Sequence, residues 1–509
     1  MYEFSRARNG KMSDKSMIII GAGLAGLATG CYGQMNGYKT KIFERQDKPG
    51  GVCVSWKRKG YTFDYAIHNL FGITPDSLNN SLWRELGALR GLETYSFREF
   101  VQVENSDGKV FTAYTNLDEL QKHMEELAPN DQKKISEFVK ACRRFSGYDL
   151  FAAMSGGLGT KIRMLPLLSS LMKYSKMTVE DYAKGFSDPF LQKAFSTIQY
   201  DLPEVPVIIP MIFMATMNKG DGGWPIGGSS ALSKNIEKRY LELGGQIAYH
   251  SQVVKILVEN NNAIGVQLED GSQHFADLVV SSADGYSTIF NMLEGKYVSD
   301  SIRTYYDSYP KTLPFGFEVW YGVNQDFSGE PHALVLFQDN PLTIEGREYD
   351  RLSVEIFNFD PSFAPSGKTV VKVVVDSDYD YWLKLSDDTK ACNKEKKKLA
   401  DLIADRLDKR FPGFTKNVEA VDIVTPISVE HWTAAYRGYC VPYPAPEEIA
   451  KEVTKNGVSK TLPGLQGFHM VGQWAGGMNG LATVCLMGRN LVRQLCKKDH
   501  KEFVTTTAD

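Results

Sequence analysis

Three glycines near the start of the chain have the spacing of a loop that holds phosphate groups. Gly21, Gly23 and Gly26 lie between the apolar run 17–20 and the segment 24–35, whose small and apolar residues suit a helix. Glycines at such a junction allow a tight turn, a close backbone approach to a pyrophosphate and close packing of helix on sheet. The phosphates then meet free N–H groups at the positive end of the helix. The triplet therefore predicts a dinucleotide-binding loop.

An acidic residue follows where such a loop needs one. Glu44 comes directly after a second predicted strand, 40–43, about 20 residues beyond the glycines. A carboxylate at this point can accept hydrogen bonds from the ribose hydroxyls of an adenosine half. Strand, glycines, helix, second strand and acid stand in the order of a βαβ nucleotide-binding unit, which is more specific than a glycine triplet alone.

Two further glycine-rich segments, each next to a predicted strand or helix, occur much later in the sequence. Residues 222–228 form a glycine-rich turn before a predicted helix, and 467–481 combine a strand, a glycine-rich loop and the start of a helix. We therefore predict an α/β fold in which a discontinuous Rossmann-like domain is interrupted by an inserted α+β substrate domain. The predicted nucleotide-binding domain comprises 1–90, 220–300 and 460–509. The substrate domain comprises 91–219, which is mostly helical, and 301–459.

Composition excludes several classes of protein. Lys and Arg number 58 against 61 Asp and Glu, a net charge of −3, so no general positive field for nucleic acid exists. The seven cysteines include no CxxC pair and no disulfide framework, so we predict no metal site and a reducing, cytoplasmic compartment. The first sixteen residues are too polar for a secretory signal. We expect both ends, 1–15 and 497–509, to be disordered.

Two segments could contact lipid. Residues 160–177 carry lysine and arginine among leucines and methionines, which suits peripheral contact with a membrane, although an ordinary amphipathic surface helix has the same pattern. Val205–Met217 is the longest apolar stretch, but it is too short and too interrupted by prolines to span a bilayer. It could line a lipid tunnel or belong to the core.

Among titratable side chains, His68 is the strongest candidate for proton chemistry. It follows Phe63, Asp64 and Tyr65 closely, and an imidazole can donate or accept a proton near neutral pH. A structural histidine bonded to backbone is the alternative. Asp64 itself is more typical of a turn or a helix cap than of a base.

Taken together, these motifs resemble the FAD-dependent amine oxidase and phytoene desaturase superfamily. The similarity lies in 21–51, in 227–253 and in the tail 472–489. Residues 60–68 and 425–433 are closest to the branch of phytoene desaturases, carotenoid isomerases and retinol saturases. The resemblance implies a FAD-binding domain of the glutathione-reductase type.

The resemblance also implies which residues hold FAD. At the pyrophosphate and adenosine end they are Gly21, Gly23 and Gly26 for the pyrophosphate, Glu44 for the ribose, Arg45 and Val253 for the adenine, and Gly50 and Gly51 beneath the pyrophosphate and ribityl chain. At the ribityl and isoalloxazine end they are Gly472, Met478, Asn479, Gly480 and Leu481.

Two departures from the family pattern bear on the flavin. Val52 stands where the family often has arginine, and Gln473 where it often has an acid. Both changes remove charge near the flavin, so the direction of the reaction stays open. No second βαβ motif is evident, and a quinone or oxygen is therefore the expected electron partner rather than a nicotinamide nucleotide.

The leading hypothesis is a FAD-dependent oxidoreductase that acts on carbon–carbon bonds of a long polyene or isoprenoid, as desaturase or saturase. A flavin-dependent double-bond isomerase is one alternative. An amine oxidase is another, for which Trp432 and Tyr436 could supply aromatic walls beside the flavin. A prenyl-lipid escort protein of the Rab GDP-dissociation inhibitor type would use the same fold without flavin.

Overall fold

The computed structural model describes residues 15–75, 77–148, 165–477 and 480–508. The strands are β1 (Ser16–Ile20), β2 (Lys39–Phe43), β3 (Ser55–Arg58), β4 (Tyr61–Asp64), β5 (Leu70–Phe71), β6 (Thr94–Tyr95), β7 (Glu99–Glu104), β8 (Val110–Tyr114), β9 (Gly222–Pro225), β10 (Gln246–Ala248), β11 (Val253–Glu259), β12 (Asn262–Leu268), β13 (Gln273–Phe275), β14 (Leu278–Ser281), β15 (Thr312–Val323), β16 (Ala333–Ile344), β17 (Arg347–Ile356), β18 (Thr369–Asp378), β19 (Val418–Val424) and β20 (Phe468–Met470).

The helices are α1 (Leu24–Met35), α2 (Leu78–Leu86), α3 (Leu117–Leu127), α4 (Gln132–Ser146), α5 (Leu168–Tyr174), α6 (Val179–Ala183), α7 (Pro189–Ser196), α8 (Ile208–Met217), α9 (Gly228–Glu242), α10 (Asp300–Asp307), α11 (Tyr379–Ser386), α12 (Thr389–Arg410), α13 (Phe414–Asn417), α14 (Pro426–Thr433), α15 (Glu447–Asn456), α16 (Gln473–Gly476) and α17 (Leu481–Lys498). Single 3₁₀ or π turns supplement them at 129–131, 165–167, 287–292 and 436–438.

A five-stranded parallel sheet forms the first layer of the fold. Its strand order is β10-β2-β1-β14-β20, and every neighbouring pair is parallel. The strands therefore come from three separate stretches of the chain; α1 packs on β1 and β2, and α9 and α17 pack on α1. This arrangement confirms the predicted α/β class with a Rossmann-like sheet. The exact domain boundaries stay a prediction.

A seven-stranded mixed sheet forms the second layer. Its order is β19-β15-β18-β17-β16-β7-β8, with only the β16–β7 pair parallel. The hairpin β7–β8, whose strands are joined by a turn at 105–109, forms one edge. Buried residues of α12, including Leu399, Ile403 and Leu407, cover one face of the sheet. The other face lies toward the cofactor domain, since β18 contacts β4 and β19 contacts β3.

The structure describes most of the two segments for which the sequence left lipid contact open. The described part of the 160–177 segment is a 3₁₀ turn at 165–167 followed by the short α5, not one continuous helix; residues 160–164 lie outside the described residues. Residues of α8, from the apolar stretch 205–217, pack into the main core. Among the described residues, no helix has the length and apolarity needed to cross a membrane.

The expectation of a disordered C-terminal end is wrong for its described part. Lys497 and Lys498 complete α17, and the segment that follows lies against the cofactor domain. Val504 exchanges two hydrogen bonds with the Asn36 side chain, at 2.8 and 3.0 Å. Arg239 Nη2 donates to Thr506 Oγ1 at 2.8 Å. These contacts are isolated hydrogen bonds. They produce no hydrophobic periodicity from which an ordered segment could be predicted.

A buried group of charges crosses the inner face of the mixed sheet. Lys372 on β18 is 1% exposed and lies directly opposite Trp320 on β15 and Glu355 on β17. Its Nζ is 3.4 Å from Glu318 Oε1 and 3.8 Å from Glu355 Oε2. Since an unpaired charge is costly in a dry interior, these groups depend on one another for their burial.

Replacing Lys372 by methionine removes the cation and leaves two carboxyl groups in the core without it. We expect Lys372→Met to lower the free energy of unfolding by about 3–5 kcal/mol, measured by urea denaturation. Lys397→Met is the matched control, because Lys397 pairs with Asp401 on the exposed side of α12 and such pairs contribute about 0.5 kcal/mol. Equal effects of the two substitutions would contradict the assigned role of the buried ion pair.

Candidate active site

A large cavity lies at the carboxyl ends of the parallel strands. It collects residues from every segment in which the sequence predicted cofactor contacts: Gly21, Gly23, Glu44, Arg45, Gly50, Gly51, Val253, Gly472, Gly480 and Leu481. Gly26 is not part of this lining. A Cβ atom on Gly26 would lie 2.1 Å from the Gly21 carbonyl oxygen. Its role is therefore close packing of α1 on the glycine loop. Met478 and Asn479 lie outside the described residues.

Two helices begin at this cavity without side-chain caps. Gly23 is the N-cap of α1 and Gly480 the N-cap of α17; neither helix has a capping side chain or an acidic residue in its first turn. Within the described parts of the chain, the first N–H groups of each helix therefore have neither intrahelical nor N-cap side-chain partners, and the positive ends of the two helix dipoles point into the same cavity. Such a pair of helix ends suits an anionic, phosphate-containing ligand.

The glycine segments 21–26 and 50–51 lie side by side, and their backbone forms a concave surface that we call the cradle. Gly50 N donates to Ala22 O at 2.9 Å, and Gly23 and Gly50 pair as a parallel bridge. A Cβ atom on Gly23 would meet only the Gly50 oxygen, at 4.0 Å, so any side chain there would occupy the cavity itself. The cradle thus keeps open the space that a pyrophosphate requires.

Glu44 is buried at the wall of the same cavity. Its Oε2 accepts a hydrogen bond from Ala22 N at 2.7 Å and its Oε1 accepts one from Gln46 N at 2.8 Å. Burial raises the pKa of this carboxyl group, while the backbone donors act in the opposite direction. Each oxygen can accept a further bond. The position and donor–acceptor chemistry of Glu44 therefore fit two ribose hydroxyls.

Three aromatic side chains, those of Trp432, Tyr439 and Trp474, line the cavity together with Gln473. Trp432 lies beside the segment that follows Glu44: its carbonyl oxygen accepts a hydrogen bond from Gln46 Nε2 at 2.6 Å, and its Nε1 donates to Gly51 O at 3.2 Å. Tyr436, the other predicted aromatic wall, is not in this lining and stacks on Tyr286 with ring centroids 3.8 Å apart. Of the two predicted walls, only Trp432 therefore lines the cavity.

Asp284 is a lining residue that sequence reasoning missed. It follows the carboxyl end of β14 and is 5% exposed; its Oδ1 accepts from Ser287 N at 2.7 Å. Burial raises the pKa of this carboxyl to about 6. The available signal was its place after a strand end, since the carboxyl ends of parallel strands share one edge of the sheet. Trp474 has the same signal after β20, whereas Tyr439 has none.

The structure places His68 away from the large cavity. It lines a smaller cavity with Phe97, Tyr200 and Trp224. Its Nδ1 lies 2.7 Å from Glu355 Oε1, within ion-pair distance, although the angle is unsuited to a hydrogen bond. The alternative of a structural histidine held by the backbone finds no support in these contacts. A direct catalytic role stays a prediction.

Asp64 has the capping role that its sequence context favoured. It is 1% exposed and accepts hydrogen bonds from Ser55 Oγ at 2.7 Å, Ser229 N at 2.7 Å and Ser229 Oγ at 2.6 Å. Ser229 lies in the first turn of α9, so the carboxylate satisfies an N–H group at the start of that helix. Asp64 thereby ties β4 to the glycine-rich turn at 222–228.

Comparison with known proteins identifies the family. The model of the flavin-containing amine oxidoreductase family matches residues 24–482. The prolycopene isomerase of Daucus carota is 24% identical over 459 residues, which is 86% of this chain and 73% of the relative. The phytoene desaturase (lycopene-forming) of Pseudescherichia vulneris is 26% identical over 460 residues, 83% of this chain and 88% of the relative.

A solved structure of an oxidoreductase from Methanosarcina mazei has the same fold. It matches with a TM-score of 0.59 and 19% identity, and the match covers 94% of this chain and 100% of that one. The chain thus belongs to the flavin-containing amine oxidoreductase family. Within it, the protein is a FAD-dependent oxidoreductase of the phytoene desaturase-like group, which confirms the resemblance inferred from the motifs.

Glu44→Ala tests the assignment of the adenosine end. A charged hydrogen bond is worth about 1.5–3 kcal/mol, so we expect the Kd for FAD to rise at least about tenfold, measured by flavin fluorescence quenching during titration of the apoprotein. Glu259→Ala, at the exposed end of β11, is the matched control and should bind FAD as the wild type does. Unchanged affinity in a folded Glu44→Ala variant would contradict the ribose contact.

Proposed function

We propose that the protein transfers hydride between FAD and a carbon–carbon bond of a long lipophilic polyene or isoprenoid, as desaturase or saturase. The proposal is supported by relatives named phytoene desaturase and prolycopene isomerase, which match over most of the chain. The observation that carries it is the set of aromatic side chains, Trp432, Tyr439 and Trp474, in the lining of the cavity. Flat apolar walls of this kind suit a conjugated hydrocarbon better than a charged substrate.

Different residues of the cavity would bind different parts of the cofactor. The N–H groups before α1 and α17 would hold the phosphates and the ribityl end, Glu44 the ribose, and Gly50 and Gly51 the underside of the pyrophosphate. When bound, FAD would supply the hydride acceptor or donor. Val52 and Gln473, the two uncharged departures from the family pattern, both line the cavity.

The three alternative functions have unequal support. Isomerisation of a polyene by flavin is supported by the relatives named prolycopene isomerase and needs the same apolar site. An amine oxidase is less favoured, because of the two predicted aromatic walls only Trp432 lines the cavity. The escort-protein hypothesis is disfavoured by membership of a flavin-containing oxidoreductase family. A quinone or oxygen remains the proposed electron partner.

Anaerobic half-reactions distinguish these activities. Bleaching of the oxidised flavin by phytoene is the result expected of a desaturase, and reoxidation of reduced flavin by lycopene that of a saturase. Conversion of prolycopene by the reduced enzyme without net flavin oxidation indicates an isomerase. Bleaching by putrescine, with inertness toward all three polyenes, would overturn the proposal. Gly23→Val, which fills the cradle, is the control without bound cofactor.

We also propose that the region 165–177 contacts a membrane from which the substrate is taken. Leu165, Leu168 and Met172 are 61%, 50% and 56% exposed, and their spacing places them on one side of the segment. Beside α5 lies a groove lined by Lys133, Lys140 and Arg144. Exposed apolar side chains next to cations are typical of a surface that binds anionic lipid.

Vesicle flotation tests this contact. The protein is expected to float with phosphatidylglycerol vesicles, and the variant Leu168→Ser/Met172→Ser to lose at least half of this binding. Leu241→Ser changes a leucine of similar exposure, 48%, on α9 and should bind as the wild type does. Equal flotation of all three proteins would contradict the assignment.

A further inference from the structure

A buried carboxyl group lies in the middle of the row of strand ends that forms the large cavity. Asp284 follows β14, which lies between β1 and β20 in the parallel sheet. The residue is 5% exposed and lines the cavity. Among the described lining residues, the only other acid is Glu44, which follows β2. Since β1 separates β2 from β14, the two acids lie two strand spacings apart, about 10 Å along the edge of the sheet.

The order of the strands gives the order of the ligand groups along the cavity. The sheet edge presents Glu44 after β2, the glycine loop 21–26 after β1, Asp284 after β14 and Gly472 after β20. We assign Glu44 to the adenosine ribose and the glycine loop to the pyrophosphate. In FAD, the ribityl chain follows the pyrophosphate on the side away from the adenosine. The ribityl chain is therefore the part of FAD that would meet the end of β14.

Asp284 has the same position after its strand as Gln473 has after the neighbouring one. Ser281 of β14 is in register with Met470 of β20, and each polar residue comes three residues later. Gln473 stands where the family often has an acid. Its Nε2 donates to Cys440 O at 2.9 Å, a bond for which an ionised carboxylate has no donor. The acid is thus absent after β20 and present after β14.

The carboxyl group of Asp284 has room for further hydrogen-bond donors. Ser287 N donates to its Oδ1 at 2.7 Å, and the backbone N–H of Tyr436 is a second donor. Within the described residues, no cation pairs with this carboxyl group. An ionised carboxylate can accept about four hydrogen bonds, and a buried one needs donors in place of the water that it has lost. Hydroxyl groups of a ligand would supply them.

The bond to Ser287 by itself would make Asp284 a helix cap. A helical turn follows at 287–292, and an aspartate that accepts from the N–H group three residues further on is typical of a cap. A cap uses one oxygen atom and needs no charge, because serine caps helices as well as aspartate does. Capping therefore leaves the second oxygen and the burial of the charge in the cavity wall unexplained.

We propose that Asp284 binds the ribityl hydroxyl groups of FAD and so supplies, from the end of β14, the acid that position 473 lacks. The inference rests on the FAD binding that the proposed function requires and does not depend on the identity of the polyene. The carboxylate accepts hydrogen bonds from the hydroxyl groups, and no bond is made or broken. Because the ribityl chain carries the flavin ring, holding the chain also fixes the position of the ring.

Binding of FAD and of ADP to the apoprotein tests this contact. ADP contains the adenosine and the pyrophosphate but lacks the ribityl chain and the ring. Asp284→Ser removes the charge and the second oxygen and retains a side chain that can cap the helical turn. We expect the Kd for FAD, measured by flavin fluorescence, to rise about tenfold or more. The Kd for ADP, measured by titration calorimetry, should stay as in the wild type.

Asp188→Ser is the matched control. Asp188 caps α7 through Leu191 N at 2.7 Å and is not in the lining of the large cavity, so its substitution should change neither affinity. Glu44→Ala, at the adenosine end, should weaken the binding of FAD and ADP alike.

Two results would overturn the proposal. Equal weakening of FAD and ADP by Asp284→Ser would show that the residue only supports the fold, and an unchanged affinity for FAD would show that the ribityl contact does not exist. Inertness of the FAD-loaded wild type toward polyenes would instead overturn the proposed function, while a loss in Asp284→Ser that is confined to FAD would still support this contact.

Discussion

The parallel pairing of β1 with β14, and of β14 with β20, is the constraint on which the site depends. Because parallel strands all end at the same edge of the sheet, this pairing brings chain segments from residue 21 to residue 480 around one cavity. It also directs α1 and α17 at that cavity from their N-termini. A single βαβ unit would supply one phosphate-binding helix end; the discontinuous domain supplies two.

The mixed sheet carries a buried set of charges at a cost in stability. Its face toward the cofactor domain carries Glu318, Lys372 and Glu355 where an ordinary core would carry apolar groups. Pairing offsets the desolvation of these charges only in part. Each charge is therefore tolerated in the interior only while its partners are present.

Much of the cofactor end could be predicted from sequence, because its signals are local. The spacing of Gly21, Gly23, Gly26 and Glu44 follows from the geometry of a βαβ unit. The structure contains the strand, the helix and the cavity that this spacing predicts. The aromatic part of the lining could not all be predicted in the same way. Tyr439 reaches the cavity through long-range packing, and Tyr436, only three residues away, lies outside the lining. His68 shows the same limit, since its neighbour Glu355 comes from a distant strand whose register decides the contact.

The absorbance spectrum of the purified protein, before and after incubation with FAD, tests the central claim most directly. The geometry of two uncapped helix ends, a glycine cradle and a buried acid predicts a flavin spectrum, perturbed from that of free FAD and saturating at one flavin per chain. A colourless protein that takes up no FAD would contradict the assignment of the cavity and leave lipid carriage as the better account.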